Sequence, residues 1–123
     1  MTLIRGVGVD IVSLNRVERA LSRWGERFVA RLLTPEERSQ CPRRPRRMIE
    51  YVAGRLAAKE AVFKAVGGGL SWKDVEVLAG SGGRPVARLR EGLRVPGTVL
   101  VSITHDGWAA VACAVLVEGD GRG

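Results

Sequence analysis

The hydrophobic periodicity of the chain changes twice, and the order of these changes limits the folds open to it. Alternation at a period of two predicts a strand from Leu3 to Val12. Helical spacing follows from Leu14 to Phe28, and an Ala-rich run predicts a longer helix from about Arg47 to Val66. The remainder returns to β-rich segments. A strand, then helices, then strands indicate an α+β domain rather than alternating βαβ units.

Cap and turn residues divide the chain further. Ser13 is the expected N-cap of the first helix, and Thr34-Pro35 begins a short second helix. Four further strands are predicted: Ser71 to Ala79, Val86 to Arg90, Thr98 to Thr104 and Trp108 to Glu118. The Asp106-Gly107 pair predicts a hairpin between the last two. We therefore expect one domain over residues 1–123, an antiparallel sheet packed with one long and two shorter helices.

The composition fits a globular domain that holds its own core. The chain has 123 residues, of which 46% are apolar, so a core can form without disulfides or a structural metal. Cys41 and Cys113 are far apart and belong to no C-x-x-C pair. The N-terminal residues lack the order of a signal peptide, and no apolar run approaches the roughly 18 residues of a membrane span. We therefore expect a protein of the reducing cytoplasm that neither is secreted nor spans a membrane.

Positive charge is concentrated in the first half of the chain. The formal net charge is +7, and residues 1–55 carry 12 basic and 6 acidic groups against 8 and 7 in residues 56–123. On the first helix, arginines recur every three or four positions and line one exposed edge if the helix persists through Gly25. These are Arg16, Arg19, Arg23, Arg27 and Arg31, called the arginine stripe below. Such a surface attracts anionic partners, although an ordinary solvated basic face is an equally good interpretation.

Four side chains are candidates for chemistry, and each also has an ordinary structural interpretation. Glu60 and Lys64 lie four residues apart on the long helix and share a face, as many surface pairs do. Asp10 lies in a glycine-rich strand, where an acidic residue is often only a strand-end or capping group. His105 ends a strand and could be a hydrogen-bonded residue at the edge of the core. Together, however, two carboxylates on separate elements suit Mg²⁺, and a lysine one turn away suits phosphoryl transfer.

Three blocks of the sequence add a resemblance to this chemical argument. The segments Gly6 to Val12, Gly54 to Ala65 and Val101 to His105 look like the signature blocks of holo-acyl-carrier-protein synthases, the small type of 4′-phosphopantetheinyl transferase. The segments Leu32 to Glu37 and Gly83 to Pro85 also match in order and approximate spacing. The resemblance covers nearly the whole chain, and the ordered set is far more specific than any one block.

The resemblance implies a Mg²⁺-dependent enzyme with the fold of that family. It would transfer the 4′-phosphopantetheine group from coenzyme A to a serine of apo-acyl carrier protein, releasing adenosine 3′,5′-bisphosphate. Asp10 and Glu60 match the Mg²⁺ ligands, Lys64 the lysine beside the diphosphate, and His105 the histidine near the coenzyme phosphates; Glu60, Lys64 and His105 are the candidate catalytic residues. The other matching coenzyme-binding positions are Arg55, Gly67, Gly68, Gly69, Arg84 and Pro85. The proton acceptor stays open among Glu60, His105 and a metal-bound water.

Family members are also similar in forming homotrimers with active sites between subunits, in acting in fatty acid biosynthesis and in binding an acidic carrier protein. The arginine stripe would be the docking surface for that carrier.

The alternative to this enzymatic function is a non-enzymatic nucleic-acid-binding domain, suggested by a pI near 10.7. However, Trp24 and Phe28 lie on the apolar helix face, and the other aromatic residues do not interleave with the stripe. A third alternative is an inactive trimer of the same fold. We therefore expect neither nucleic acid nor membrane among the partners.

Overall fold

The computed structural model describes residues 1–119, and it confirms the predicted order of strand, helices and strands. The elements in chain order are β1 (Leu3–Ser13), α1 (Leu14–Trp24), α2 (Glu26–Leu32), α3 (Pro35–Gln40), α4 (Pro45–Val66), a 3₁₀ turn (Trp72–Asp74), β2 (Val75–Ala79), a second 3₁₀ turn (Ser81–Gly83), β3 (Pro85–Leu89), β4 (Thr98–His105) and β5 (Ala109–Glu118). The predicted α+β class is therefore correct.

The predicted first helix is interrupted, and this changes the helix count. Gly25 has a φ of 53°, so the chain leaves the helical conformation there and α2 starts afresh at Glu26. The amide of Gly25 donates to the carbonyl of Leu21 at 2.9 Å and ends α1. Residues 1–119 consequently contain one long helix and three shorter ones, rather than one and two.

The predicted helix starts at Ser13 and Thr34 are confirmed by their side chains. Ser13 accepts a hydrogen bond from the amide of Arg16, and Thr34 forms a capping box with Glu37. The predicted strand from Ser71 is wrong in its first part, because the Asp74 carboxylate accepts from the Ser71 amide at 2.8 Å and closes a 3₁₀ turn. The strand begins only at Val75.

The sheet is antiparallel and splits into two parts. The larger part has three strands in the order β1-β5-β4, and the smaller is the β2-β3 hairpin. The hairpin predicted at Asp106-Gly107 joins β4 to β5. Its turn is closed by the Asp106 carboxylate, which accepts from the amides of Trp108 and Ala109 at 2.7 and 2.9 Å.

Helix α4 packs on the three-stranded sheet at unusually close range. Its buried face is largely alanine, including Ala57, Ala61 and Ala65. Gly6 and Gly8 of β1 face this helix, and a Cβ atom at either position would overlap a carbonyl oxygen of Ala65 or Ala61. The helix and the strand therefore meet backbone to backbone, which places neighbouring polar side chains of both elements close together.

The opposite face of the sheet is apolar and uncovered. Val7, Val9 and Ile11 of β1 are 62%, 58% and 67% exposed, and Leu100 of β4 is 59% exposed. The strand register places Val7 beside Val115, and Val115 beside Leu100, so these side chains form one continuous patch, called the outer sheet face below. A contiguous patch of this kind commonly marks a protein–protein contact.

Candidate active site

A cavity between β1, the short helices and α4 contains both predicted metal ligands. Asp10 and Glu60 line it, and its volume is about 360 Å³. The rest of the wall is mainly apolar and includes Trp24, Phe28 and Trp72. Charged groups beside apolar walls interact more strongly than they would in open water, so this is a suitable setting for anion chemistry.

Lys64 joins the same site from the next turn of α4. Its Nζ atom donates to Oδ1 of Asp10 at 3.0 Å and to the carbonyl oxygen of Val9 at 2.9 Å. The Asp10 side chain is 20% exposed and that of Lys64 is 54% exposed, so the lysine stands at the solvent edge of the site. The structure thus brings Asp10, Glu60 and Lys64 together, as the sequence predicted.

The two carboxylates fit a Mg²⁺ ion that completes its coordination with other ligands. Mg²⁺ prefers oxygen ligands and is usually held by one or two carboxylates together with water and substrate phosphates. Within residues 1–119, no group of three or more His, Cys, Asp or Glu side chains converges on a possible metal position. Asp10 and Glu60 are therefore suited to a site that a phosphate substrate completes, rather than to a closed structural metal site.

His105 lies in a second cluster at the end of β4. Its Nδ1 atom is 3.9 Å from Oε2 of Glu50, and its side chain is 46% exposed. Arg46 also approaches Oε2 of Glu50, at 3.7 Å, and donates to the carbonyl of Gly107 at 2.9 Å. The first turn of α4 is thereby bound to the turn that follows His105.

The two clusters are separate within one subunit. Glu50 and Glu60 are ten residues apart on α4, which corresponds to roughly 15 Å along the helix axis. His105 contacts Glu50, whereas Asp10 shares a cavity with Glu60. The structure therefore does not bring His105 together with the predicted metal ligands in a single chain.

The predicted coenzyme-binding segments lie in open parts of the surface. Gly67, Gly68 and Gly69 have φ values of 97°, 100° and 84° and no atom within 4 Å of a Cβ position, so the backbone there is accessible. Arg84 and Pro85 line a cavity of about 450 Å³ between β3 and β4.

Arg55 is engaged inside the protein rather than directed into a cavity. Its Nε atom donates to the carbonyl of Val77 at 3.2 Å, and its guanidinium lies 4.1 Å from the centre of the Tyr51 ring. Its predicted coenzyme contact stays a prediction, and these internal contacts are an additional role that the sequence did not suggest.

The arginine stripe is exposed along its whole length, although the helix under it is interrupted. Arg16, Arg19 and Arg23 lie on α1, and Arg27 and Arg31 lie on α2. The Arg23 guanidinium lies 4.9 Å from the ring centre of Trp24, which itself lines the cavity with Asp10. The stripe thus runs past the mouth of the candidate site.

Sequence reasoning missed a buried ion pair next to this site. Lys59 Nζ lies 2.7 Å from Oε1 of Glu37, and both side chains are completely buried. Burial lowers the pKa of Lys59, and the hydrogen bond and charge of Glu37 partly oppose that shift. One signal was present, since Lys59 lies within a run of small apolar residues on the long helix, where an exposed lysine is not expected.

Comparison with protein families places the chain in a superfamily of transferases. The family model of the 4′-phosphopantetheinyl transferase superfamily matches residues 6–114. The holo-[acyl-carrier-protein] synthase of Desulforudis audaxviator is 46% identical over 94% of this chain and 94% of its own, and that of Chlorobium phaeovibrioides is 46% identical over 89% and 92%. Within the superfamily, the chain belongs to the holo-acyl-carrier-protein synthases, and it is an enzyme.

A solved structure supports the same assignment. The holo-(acyl-carrier-protein) synthase of Bacillus anthracis, in complex with CoA (3′,5′-ADP), superimposes with a TM-score of 0.82 at 38% identity, over 94% of this chain and 98% of that one. The resemblance found in the three sequence blocks is thus confirmed over 94% of the chain.

Proposed function

We propose that this enzyme transfers the 4′-phosphopantetheine group from coenzyme A to a serine hydroxyl of apo-acyl carrier protein and releases adenosine 3′,5′-bisphosphate. The observation that carries the proposal is that Asp10 and Glu60 line one cavity and that Lys64 is bound to Asp10 beside it, in a chain whose relative from Bacillus anthracis was solved with CoA. The product is holo-carrier protein, which serves fatty acid biosynthesis. We place the enzyme in the cytoplasm, together with its proposed substrates. No helix within residues 1–119 is long and apolar enough to cross a membrane.

Asp10 and Glu60 would hold Mg²⁺, which supplies neutralising charge for the diphosphate oxygens when it is bound. Lys64 places a second positive charge beside those oxygens, because its Nζ is already fixed by Asp10 and the Val9 carbonyl. Its fixed position means that little reorganisation is needed when negative charge develops on the leaving phosphate.

The serine oxygen attacks the β-phosphorus, a new P–O bond forms, and the bond to the bridging oxygen breaks so that adenosine 3′,5′-bisphosphate leaves with the negative charge. We assign the serine proton to Glu60, which lines the cavity with Asp10. His105 of the same subunit is held near Glu50 instead, so it would reach this chemistry from a neighbouring subunit.

We propose a homotrimer on the basis of the outer sheet face. Val9 and Ile11 are more than half exposed, although a core-forming strand would normally bury them. Association through this face would hide the patch and would let one subunit supply Asp10, Glu60 and Lys64 while its neighbour supplies His105 and Arg46. The separation of the two clusters within one chain favours such a shared site.

The carrier protein would dock on the arginine stripe. Its five guanidinium groups are exposed and run past the cavity that holds Asp10 and Glu60. Positive charge on one partner and negative charge on the other accelerate encounter and fix orientation. A carrier bound there would present its serine to the cavity mouth.

The decisive experiment is a mass measurement on the carrier. Purified enzyme is incubated with coenzyme A, Mg²⁺ and apo-acyl carrier protein, and the carrier is weighed by mass spectrometry. We expect the added mass of one phosphopantetheine group, and no addition when chelator replaces Mg²⁺ or when coenzyme A is omitted. An unmodified carrier in the complete mixture would overturn the proposal.

A further inference from the structure

The ion pair between Lys59 and Glu37 occupies the core at a high cost in desolvation free energy. Both side chains are fully buried, and removing two charges from water costs more than packing apolar side chains of the same volume. Buried ion pairs are therefore weak explanations of stability by themselves. The contacts that these two residues make with other segments indicate a different use.

Lys59 connects α4 to two segments that enclose Glu60. Its Nζ atom donates to the carbonyl oxygen of Leu32, at the end of α2, at 2.6 Å, and to that of Trp72, in the 3₁₀ turn, at 3.0 Å. Lys59 is the immediate neighbour of Glu60 in the sequence. Lys59, which fixes both segments, is thus adjacent to Glu60, which we propose binds Mg²⁺ and accepts the serine proton.

The two fixed segments form the walls of a second cavity that contains Glu60. This cavity has a volume of about 630 Å³, and Arg31, Trp72 and Lys73 line it with Glu60. The Trp72 ring also packs on Phe63 of α4, with ring centres 5.1 Å apart. Trp72 lines the cavity of Asp10 as well, so its placement shapes both sides of the Glu60 carboxylate.

Glu37 holds Lys59 in place and links it to the hairpin. One carboxylate oxygen, Oε1, accepts from Lys59 and from the Thr34 amide, and the other accepts from the Val77 amide of β2 at 2.7 Å. Both oxygens of the Glu37 carboxylate therefore accept hydrogen bonds. The Lys59 ammonium donates to three acceptors, which are Glu37 and two backbone carbonyl groups. The geometry leaves neither group able to rotate without breaking several hydrogen bonds.

We propose that Lys59 and Glu37 are positioning residues, which hold the end of α2 and the Trp72 turn at a fixed distance from Glu60 and so shape the active-site cavity. Neither side chain reaches solvent, so neither contacts the substrates. The proposal rests on the proposed function, because its effect is exerted through Glu60.

The test uses a double variant, Lys59→Met with Glu37→Gln, which removes both charges and nearly preserves volume. Because no unpaired charge remains, we expect a folded protein. Its thermal midpoint should be lower than that of the wild type, because the carbonyl groups of Leu32 and Trp72 lose their donor. We expect kcat to fall about 10- to 100-fold, which is the range found when residues that orient metal ligands are substituted. KM for the carrier protein should change less than kcat, because the pair makes no hydrogen bond to α1, which carries three of the five arginines of the stripe.

A matched control separates positioning from stability. Leu116→Ala removes a buried side chain of β5 that lines none of the cavities described above. Its kcat, measured below its melting temperature, should equal that of the wild type. For a variant that is less stable than the wild type, kcat is divided by the fraction of folded molecules. The double variant and the control are each measured the same number of degrees below their own thermal midpoint. Wild-type kcat in the folded double variant, or an equal loss in both variants, would overturn the proposal. Failure of the wild type to modify the carrier would instead overturn the proposed function.

Discussion

Lys64 on α4 lies 3.0 Å from Asp10 on β1, with its Nζ between the Asp10 carboxylate and the Val9 carbonyl. This contact exists because Gly6 and Gly8 allow β1 to approach α4 at backbone distance. An acid from a strand and a base from a helix, 54 residues apart in sequence, thereby become neighbours in one site.

Neutral, nearly isosteric replacement of either carboxylate should strongly reduce turnover. We expect Asp10→Asn and Glu60→Gln each to lower kcat about 100-fold or more, because each removes a carboxylate ligand of the Mg²⁺ that would neutralise the developing phosphate charge. Stability should change little, because the Asp10–Lys64 pair is partly exposed and such pairs contribute only about 0–1 kcal/mol. The readouts are carrier mass and urea unfolding.

Glu118→Gln is the control for this pair of variants. Its carboxylate is bound to Arg5 at 2.7 Å near the end of β5 and lines none of the cavities described above. Wild-type activity is expected for Glu118→Gln. Near-wild-type activity in Asp10→Asn or Glu60→Gln would reject the metal assignment.

Gly8→Ala should destabilise the fold, because a methyl group at this position overlaps the Ala61 carbonyl oxygen. Inserting a methyl group into a well-packed contact costs about 1–3 kcal/mol, and we expect at least that loss in urea unfolding. Gly107→Ala is the matched control, since no atom lies within 4 Å of its Cβ position. Equal unfolding midpoints for the two variants would contradict the backbone-to-backbone contact.

A charge on the outer sheet face should dissociate the trimer. We expect Val9→Asp to shift the mass in solution from three times the subunit mass of 13.3 kDa toward a single subunit. Burying an unpaired carboxylate in an apolar interface is strongly unfavourable. Light scattering after size-exclusion chromatography measures this mass, and Arg19→Asp on α1 should leave it unchanged. A wild-type protein that is already monomeric would refute the trimer.

Reversing a charge in the arginine stripe should weaken carrier binding without altering chemistry. For Arg19→Glu we expect a higher KM for the carrier, an unchanged kcat and a weaker dependence of kcat/KM on salt. Arg94→Glu makes the same change in net charge on the exposed loop before β4. If both variants raise KM equally, the effect comes from overall charge and not from a docking surface.

Asp106 should make the β4–β5 turn sensitive to acid. The amides of Trp108 and Ala109 hold the pKa of Asp106 below its ordinary value of 3.8. Its contribution to stability is therefore complete above pH 3.8 and is lost as the pH falls through the lower pKa of the folded state. Asp106→Asn keeps an acceptor but does not titrate, so the stability advantage of the wild type over this variant should shrink in acid. A difference that is independent of pH would contradict the assignment.

Local sequence signals were sufficient for most elements of the fold. The helix start at Thr34, the end of the long helix at Val66 and the Asp106-Gly107 turn are each encoded by neighbouring residues, and all three were predicted. The sequence left open whether the first helix continues through Gly25, because a glycine is compatible with both a continuous helix and a break. Only its φ of 53° in the folded chain decided between them.

The sequence by itself determined which side chains are candidates for phosphoryl transfer, through residue type, the spacing of Glu60 and Lys64, and the resemblance of three blocks to a known family. It identified Asp10, Glu60 and Lys64, and the structure places them together. Only the tertiary structure decided that His105 stands apart from them and that Lys59 is buried against Glu37. Both results depend on contacts between segments distant in sequence, and no local pattern records how far apart such segments come to lie.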